Sequence, residues 1–472
     1  MDHTKAVDDA TTPPQLDKKR QVKYWTRCVK TLLPFHYIGL DSNRMYMGYF
    51  ILAALDLLDV LETVCSETER RDFADWIYSC QSVDGGFKMW RGTDFGDQTN
   101  DLNRKWDPAN VPATYFALVA LLVLGDDFKR VKRRETLHWL RKMQRPDGSF
   151  GETLVNGQIE GGRDPRYGYC ATGARYILRG ARSGPLTLDG EDIRDIDVDA
   201  FVECVRLAEA FDGGIADQPY NEPHAGYTYC SLGALNFVGR LQKADLRPSQ
   251  LSSRYGPSNP QEVVRWLVQR QTEHIDPDAS IDSDTIGSNR TSKVTDRELE
   301  NILPNNHGAP PNSEQTPSQT APPDHSFTSA AAAKSQIRKP SYTPQPSTLP
   351  DHDSATTAIC AGMNGRVNKT ADTCYAWWSG ASFHVLGQPK LYNHAAVQNY
   401  LLEKTQNPVL GGFGKFPGDA PDLYHSYLGL TALSLVGCEG VKEVDAGMCV
   451  SRNAKGRLKG VWERWGVEGS LN

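Results

Sequence analysis

The chain alternates between two kinds of helical pattern. One kind is amphipathic, with apolar residues three and four positions apart, and usually ends in a glutamine; it occupies residues 73–81, 137–144, 263–271 and 397–406. The other kind is apolar on nearly every side and rich in small residues; it occupies residues 111–122, 168–178, 227–235, 375–383 and 424–433. Such periodicity predicts helices that are exposed on one side in the first case and buried all round in the second.

A glycine turn recurs between the two kinds of segment. It reads DGGF at 84–87, DGSF at 147–150, DGGI at 212–215 and GGF at 411–413. Glycine is suited to such turns because it adopts positive φ without a steric penalty. A repeating helix–turn–helix unit with almost no strand signals predicts an all-α fold. We expect an α/α barrel (toroid) of helical hairpin repeats, with an inner ring of apolar helices and an outer ring of amphipathic ones.

Composition divides the chain into four regions. Residues 1–20 are predicted to be a flexible N-terminal tail, and residues 21–271 to form the first part of the barrel. Residues 272–358 are rich in Pro, Ser, Thr, Asn and Asp, and cannot bury enough apolar area to offset their ordering entropy. This segment is therefore predicted to be a disordered insertion, and residues 359–472 to complete the barrel.

The overall charge and cysteine content exclude several classes of protein. The net charge of −6 argues against nucleic acid as a partner, and no apolar run approaches the length of a membrane span. The first residues lack a signal-peptide pattern. Ten cysteines at irregular spacing, without a CxxC pair, indicate reduced thiols and a cytoplasmic location.

Three residues of the last third form a candidate zinc site. Asp372 and Cys374 lie in ADTCY, and His425 follows in DLYHSY. A carboxylate, a thiolate and an imidazole suit a tetrahedral Zn²⁺ ion whose fourth position stays open, as in catalytic sites. An incoming thiol would be deprotonated there and become a nucleophile.

The strings around these residues resemble the β subunits of protein prenyltransferases. NGRVNKTADTCYAWW (364–378) resembles the zinc segment of that family, and the stretch from GGFGKFP (411–417) to His425 resembles the next one. EPHAGYTYC (222–230) and DPRYGYC (164–170) match two further segments in the same order. The resemblance covers roughly residues 20–271 and 359–440.

The resemblance implies an enzyme that holds one Zn²⁺ on Asp372, Cys374 and His425 and transfers an isoprenoid from its diphosphate to the cysteine of a CaaX protein. The implied diphosphate-binding residues are His224, Arg366, Lys369, Tyr375 and Lys415, of which Tyr375 and Lys415 also count as catalytic. The implied contacts to isoprenoid or peptide are Tyr46, Phe50, Arg166, Tyr169, Tyr227, Cys230, Trp378, Tyr424 and Leu428.

Four positions bear on which member of the family the chain resembles. Lys415 stands where farnesyltransferases have a magnesium-binding aspartate, so it implies geranylgeranyltransferase type I and chemistry that does not require Mg²⁺. Tyr46 and Tyr227 are more like farnesyltransferase, and Tyr46 would shorten the lipid pocket. Leu428 replaces a farnesyltransferase tyrosine and would restore depth. Type I is our interpretation, with CaaX proteins ending in Leu or Phe, such as small GTPases, as substrates.

Several alternatives stay open. A farnesyltransferase β subunit is the first of these, and the β subunit of a Rab geranylgeranyltransferase is another. In each case a helical-repeat α subunit, absent from this sequence, would complete a heterodimer. A terpene-cyclase-like barrel would use an acidic motif, but DIDVD (195–199) is more simply a helix N-cap with an acidic first turn. A non-catalytic barrel would be expected to lack one of the three metal ligands.

Overall fold

The computed structural model describes residues 14–92, 98, 100, 102–180, 184–241, 256–273 and 359–467. Six inner helices pack in cyclic order, so that the last contacts the first and the ring closes. They are α3 (Arg44–Leu57), α6 (Val111–Leu124), α8 (Pro165–Arg179), α10 (Ala225–Phe237), α12 (Thr373–Val385) and α14 (Leu423–Leu435). Eleven of the fourteen residues of α6 are buried, as expected for a helix that is apolar on all sides.

The outer ring consists of amphipathic helices. They are α1 (Lys18–Lys30), α5 (Glu67–Ser79), α7 (Arg133–Lys142), α9 (Val198–Leu207), α11 (Pro260–Val268) and α13 (His394–Asn399), the last continued by a π-helix (Tyr400–Thr405). Short helices α2 (Phe35–Ile38) and α4 (Leu61–Val64) flank α3, and α15 (Arg452–Arg464) packs on α6 near the C-terminus.

The strands of the described residues form four two-stranded antiparallel ladders. They pair β1 (Thr153–Val155) with β2 (Gln158–Glu160), β3 (Thr187–Leu188) with β4 (Glu191–Asp192), β5 (Gln271–Glu273) with β6 (Ala361–Met363), and β7 (Val444–Asp445) with β8 (Val450–Ser451). The all-α toroid predicted from the repeat is confirmed, because these ladders only decorate the connections.

The recurring glutamine joins one outer helix to the next. In each case its side-chain Oε1 accepts a backbone N–H at or beside the N-cap of the following outer helix, 2.7–3.0 Å away. The pairs are Gln81 with Lys132, Gln144 with Asp197, Gln271 with Asn393 and Gln406 with Asp17, and Glu209 does the same for Ser258. These five bonds link the six outer helices from α5 round to α1, and an ion pair between Lys30 of α1 and Glu69 of α5 closes the outer ring.

The glycine turns need positive φ and close approach. Gly411 has φ +75°, and a Cβ there would lie 2.3 Å from the carbonyl oxygen of Arg20 in α1. Gly213 has φ +104° and would meet Glu262 of α11 at the same distance. The turn glycines therefore let each hairpin seat against the first turn of the next outer helix.

Two predicted boundaries differ from what the structure describes. Helix α1 begins at Lys18 because the Asp17 side chain caps it, so the last residues of the predicted tail 1–20 are helical. Residues 272–273 belong to β5, inside the predicted insertion 272–358. The rest of that segment, and residues 1–13, lie outside the described residues. In the described part of the chain, no helix combines the length and apolar character needed to cross a membrane.

Candidate metal centre and active site

The predicted metal ligands meet at the N-terminal ends of two adjacent inner helices. Asp372 is the N-cap of α12, Cys374 is the second residue of that helix, and His425 is the third residue of α14. Because α12 and α14 pack side by side, the three ligand atoms lie within 4.8 Å of one another. Zinc bonds of about 2.0–2.3 Å would draw them only slightly closer.

Hydrogen bonds orient each ligand. Asp372 Oδ1 accepts the backbone N–H groups of Cys374 (2.8 Å) and Tyr375 (3.3 Å), which fixes the carboxylate at the helix N-terminus. His425 Nδ1 lies 2.6 Å from Asp422 Oδ2, which leaves Nε2 for a metal. A carboxylate bonded to the second nitrogen of a ligating histidine is the usual way in which proteins fix its tautomer and orientation.

The protonation of this set favours a bound cation. Burial raises the pKa of the Cys374 thiol well above its ordinary value, and the neighbouring Asp372 carboxylate raises it further. Burial also raises the pKa of Asp372 itself. Holding two buried acidic groups side by side in their ionised forms is costly, and a divalent cation between them would offset that cost. The donor set therefore fits zinc.

The metal ligands open into a cavity of about 340 Å³. It is lined by Arg166, His224, Gly226, Tyr227, Cys230, Asp372, Cys374, Tyr375, Trp378, Lys415, Tyr424 and His425. We call it the metal cavity. Arg166, Lys415 and the Tyr375 hydroxyl line the same cavity as the metal ligands, so a negatively charged group can be bound beside the metal position.

The donor and the acceptor can be assigned in the hydrogen bond between His224 and Tyr375. His224 is the N-cap of α10, and its Nδ1 accepts the N–H of Gly226 at 3.0 Å. Burial and the nearby Arg366 and Arg166 lower the pKa of His224 to about 4, so the imidazole is neutral near pH 7. Its proton therefore sits on Nε2 and is donated to the Tyr375 hydroxyl, 2.9 Å away. The Tyr375 proton is then available to a ligand.

The remaining cations differ in how they are held. Arg366 pairs with Glu222 at 3.0 Å and lies close enough to lower the pKa of Tyr375 against the opposing effect of burial. Lys415 is exposed, lines the metal cavity and has its Nζ 4.9 Å from the Phe416 ring centre. Lys369 is exposed and does not line the metal cavity.

A second cavity, of about 370 Å³, continues from the metal cavity into the barrel. The two share Arg166, Cys230, Trp378 and Tyr424. We call the second cavity the aromatic funnel. Its lining residues are Tyr46, Tyr49, Phe50, Pro112, Tyr115, Phe116, Glu152, Arg166, Tyr167, Tyr169, Cys170, Tyr229, Cys230, Trp378, Tyr424, Leu428 and Cys449.

The structure brings most of the predicted site residues together. All nine predicted contacts to isoprenoid or peptide line one of the two cavities, with Tyr227 on the metal side rather than in the aromatic funnel. Arg366 and Lys369 line neither. Sequence reasoning missed Asp422, although an aspartate three residues before a candidate ligand and at a helix start was a usable signal. It also missed the tyrosines of the aromatic funnel floor, Tyr49, Tyr115 and Tyr229.

The acidic motif at 195–199 lies outside both cavities. Asp195 forms a two-bonded ion pair with Arg175, and Asp197 caps α9 through the N–H of Ala200. The interpretation of this motif as a helix N-cap is confirmed, and its carboxylates are not placed to protonate a ligand in the aromatic funnel.

Comparison with known proteins agrees with this architecture. The family model of the prenyltransferase alpha-alpha toroid domain matches residues 16–450. The type-1 geranylgeranyl transferase β subunit of Arabidopsis thaliana is 26% identical over 90% of this chain and 86% of its own length. That of Dictyostelium discoideum is 23% identical over 94% and 97%. The farnesyltransferase β subunit of Pyricularia oryzae is 30% identical, but over 55% of this chain and 45% of its own.

A solved structure shares the fold. Candida albicans protein geranylgeranyltransferase-I complexed with GGPP aligns with a TM-score of 0.64 and 23% identity, over 95% of this chain and 99% of that one. The toroid and the family resemblance predicted from sequence are confirmed.

Proposed function

The chain belongs to the prenyltransferase α/α toroid family, and we propose that it is the catalytic β subunit of a cytoplasmic protein geranylgeranyltransferase type I. It would transfer a geranylgeranyl group from its diphosphate to the cysteine thiol of C-terminal CaaX proteins with Leu or Phe at the last position. Small GTPases are such proteins. A separate α subunit would complete the heterodimer.

One observation carries the proposal: the metal cavity and the aromatic funnel share four residues. A thiol held at Asp372, Cys374 and His425 would therefore meet the first carbon of a lipid whose tail occupies the aromatic funnel. Zinc at these ligands would lower the pKa of an incoming thiol and supply it as thiolate. Bringing two reactants together in this way converts a bimolecular step into an intramolecular one.

The residues around the metal cavity suit a leaving diphosphate. The Tyr375 hydroxyl is held by His224 and points its proton away from that histidine. Lys415 lines the metal cavity, and Arg366 lies close enough to lower the pKa values of His224 and Tyr375. The exposed Lys369 is on the same loop as Arg366. Donors and cations placed where negative charge develops stabilise a transition state. Lys415 supplies a fixed positive charge, which supports chemistry without Mg²⁺.

A farnesyltransferase is the second candidate, and Tyr46 favours it. Its ring centre lies 5.5 Å from that of Phe50 and 6.5 Å from that of Phe116, so three rings narrow one side of the aromatic funnel. Leu428 lines the same cavity without an aromatic ring. The 26% and 23% identity to two type-1 β subunits over most of their length supports the first candidate.

Transfer assays test the proposal. The chain should be co-expressed with a prenyltransferase α subunit and given farnesyl or geranylgeranyl diphosphate, with peptides ending in Leu or Ser, with and without Mg²⁺. We expect geranylgeranyl transfer to the Leu peptide, independent of Mg²⁺ and abolished by Cys374→Ala. Preferred farnesyl transfer to the Ser peptide, or a strict need for Mg²⁺, would refute the type I assignment.

A further inference from the structure

The floor of the aromatic funnel is made by a hairpin tip from the C-terminal region. The tip, residues 446–449 between β7 and β8, enters the barrel from the end opposite the metal ligands; we call it the plug. Each of its four backbone carbonyls accepts a hydrogen bond from a buried tyrosine. Tyr229 donates to Ala446 (2.9 Å), Tyr169 to Gly447 (2.7 Å), Tyr115 to Met448 (2.9 Å), and Tyr49 and Tyr427 both to Cys449 (2.5 Å).

These tyrosines occupy one register position of the repeat. They come from α3, α6, α8, α10 and α14, and Trp377 stands at the same position of α12. The next residue in each helix lines the aromatic funnel: Phe50, Phe116, Cys170, Cys230, Trp378 and Leu428. The same ring of helices thus supplies both the wall of the aromatic funnel and the hydrogen bonds that fix the depth of the plug.

Among the plug residues, Cys449 lines the aromatic funnel. Its φ is +56°, a left-handed conformation that non-glycine residues adopt at a cost. The backbone is held there because the Cys449 N–H donates to Asp445 (3.0 Å) while two tyrosines bond its carbonyl. These hydrogen bonds hold the Cys449 backbone in place, so its thiol stays at the floor of the aromatic funnel.

We propose that Cys449 is a specificity-determining residue that sets the longest isoprenoid the aromatic funnel accepts. This inference rests on the proposed function. A lipid with its first carbon in the metal cavity passes Trp378 and Tyr424 and extends toward the plug. Since the plug carbonyls are fixed, the volume of the side chain at 449 decides whether the terminal isoprene unit fits. One methylene in an apolar pocket discriminates ligands by about 10- to 200-fold.

Three substitutions at this position test the inference in the heterodimer. Cys449→Gly removes the side chain and the backbone strain, Cys449→Ala removes the sulfur but keeps the strain, and Cys449→Met adds bulk. The readouts are kcat/KM and competitive binding for farnesyl, geranylgeranyl and geranylfarnesyl diphosphates. We expect the glycine and alanine variants to raise the geranylfarnesyl-to-geranylgeranyl ratio about tenfold. The methionine variant should lower the geranylgeranyl-to-farnesyl ratio by about the same factor.

The controls separate the possible outcomes. Cys65→Ala changes a fully buried thiol that lines neither cavity and should leave every ratio unchanged. Ratios unchanged in all three Cys449 variants would overturn the inference, as would a shift in Cys449→Gly alone, which would assign the effect to backbone strain. The binding ratios could shift as expected among the wild type and the Cys449 variants while none of them transfers a prenyl group. In that case the proposed function fails and the inference stands. If the wild type binds no isoprenoid, both fail.

Discussion

Gly365 is the residue on which the position of Tyr375 depends. A Cβ at Gly365 would lie 2.0 Å from the Tyr375 ring, and the Gly365 carbonyl also accepts the N–H of Ala225 at 2.9 Å. The backbone is thus tied to α10, and the ring would have to move. We expect Gly365→Ala to lower kcat at least tenfold, because the bond from His224 to Tyr375 would be lost, while zinc content stays unchanged.

Transfer kinetics and metal analysis measure this effect. Gly184→Ala is the matched control, since nothing lies within 4 Å of a Cβ there. Full activity of Gly365→Ala would show that Tyr375 need not occupy its described position.

The neutral state of His224 predicts a pH dependence of stability. Its folded pKa is about 4, against an ordinary value of 6.5. Between these values the unfolded chain binds a proton that the folded chain does not, so stability falls as pH falls from 6.5 to 4. The loss attributable to this group approaches about 3 kcal/mol at the lower limit.

Chemical denaturation at about pH 7 and about pH 4.5 measures the slope. His224→Gln should reduce the difference between the two pH values, whereas the exposed His36→Gln should not. An identical slope in His224→Gln and wild type would contradict the assignment of a neutral, buried imidazole.

Asp422 should control metal affinity without being a ligand. Its Oδ2 bonds His425 Nδ1, and its Oδ1 caps α14 through the His425 N–H at 2.8 Å. Asparagine can keep the cap but loses the charge. We expect Asp422→Asn to weaken zinc binding by about 10- to 100-fold, measured by competition with a chelator. Asp419→Asn alters a carboxylate that instead accepts the N–H of Phe416, and should bind zinc like the wild type.

At the residue scale, sequence predicted the ligands and most of the cavity lining because their segments are distinctive. It did not predict the Arg366–Glu222 pair or the hydrogen bond that orients His425, since both depend on side-chain direction. Of the five tyrosines that bond the plug, Tyr169 alone was among the predicted contacts. Superposing the six inner-helix strings would have aligned them, but their acceptors are backbone carbonyls, which no side-chain pattern reveals.

At the scale of elements, the recurring glutamine is the clearest case of a sequence signal whose meaning only the structure gives. The pattern identified Gln406 as the end of an outer segment, and the structure shows it capping α1 through Asp17. The pattern does not predict α1 and α9 as outer helices, and it predicts a regular helix where the structure has a π-helix at Tyr400–Thr405. Helix caps and hydrogen-bond register decide where a helix begins and whether it is an α- or a π-helix. The spacing of apolar residues carries little information about either.

Breaking that cap should loosen the closure of the outer ring. Gln406→Ala removes the acceptor for the Asp17 N–H, and we expect a loss of about 1–2 kcal/mol in unfolding free energy. Amide exchange in α1 should rise more than in α7. Gln158→Ala, at an exposed strand position, is the control. Equal exchange in α1 of the wild type and Gln406→Ala would show that the ring is closed by packing alone.

At the scale of the whole molecule, the repeat predicted the toroid because each hairpin must bury its apolar helix against its neighbours. The sequence did not predict which segment of the chain enters the centre of the barrel. The plug belongs to no repeat, and its bonds join residues as far apart in sequence as Tyr49 and Cys449. Such long-range contacts follow from ring closure, not from any local pattern.

The β5–β6 ladder holds together the two chain segments on either side of residues 274–360. Glu273 pairs with Ala361, and antiparallel partners lie only about 5 Å apart. The peptide bonds between these strands are therefore not what keeps the two parts of the barrel side by side; the ladder and the closed ring do that.

The protein should consequently stay folded and active when its chain is cut between these two strands. A specific protease site placed within residues 274–358 would give a nicked chain whose two fragments co-elute on size exclusion and melt as one unit. Expressed from separate genes, the fragments should reassemble by complementation and regain prenyl transfer. Fragments that separate without denaturant would show that covalent continuity through this segment is required.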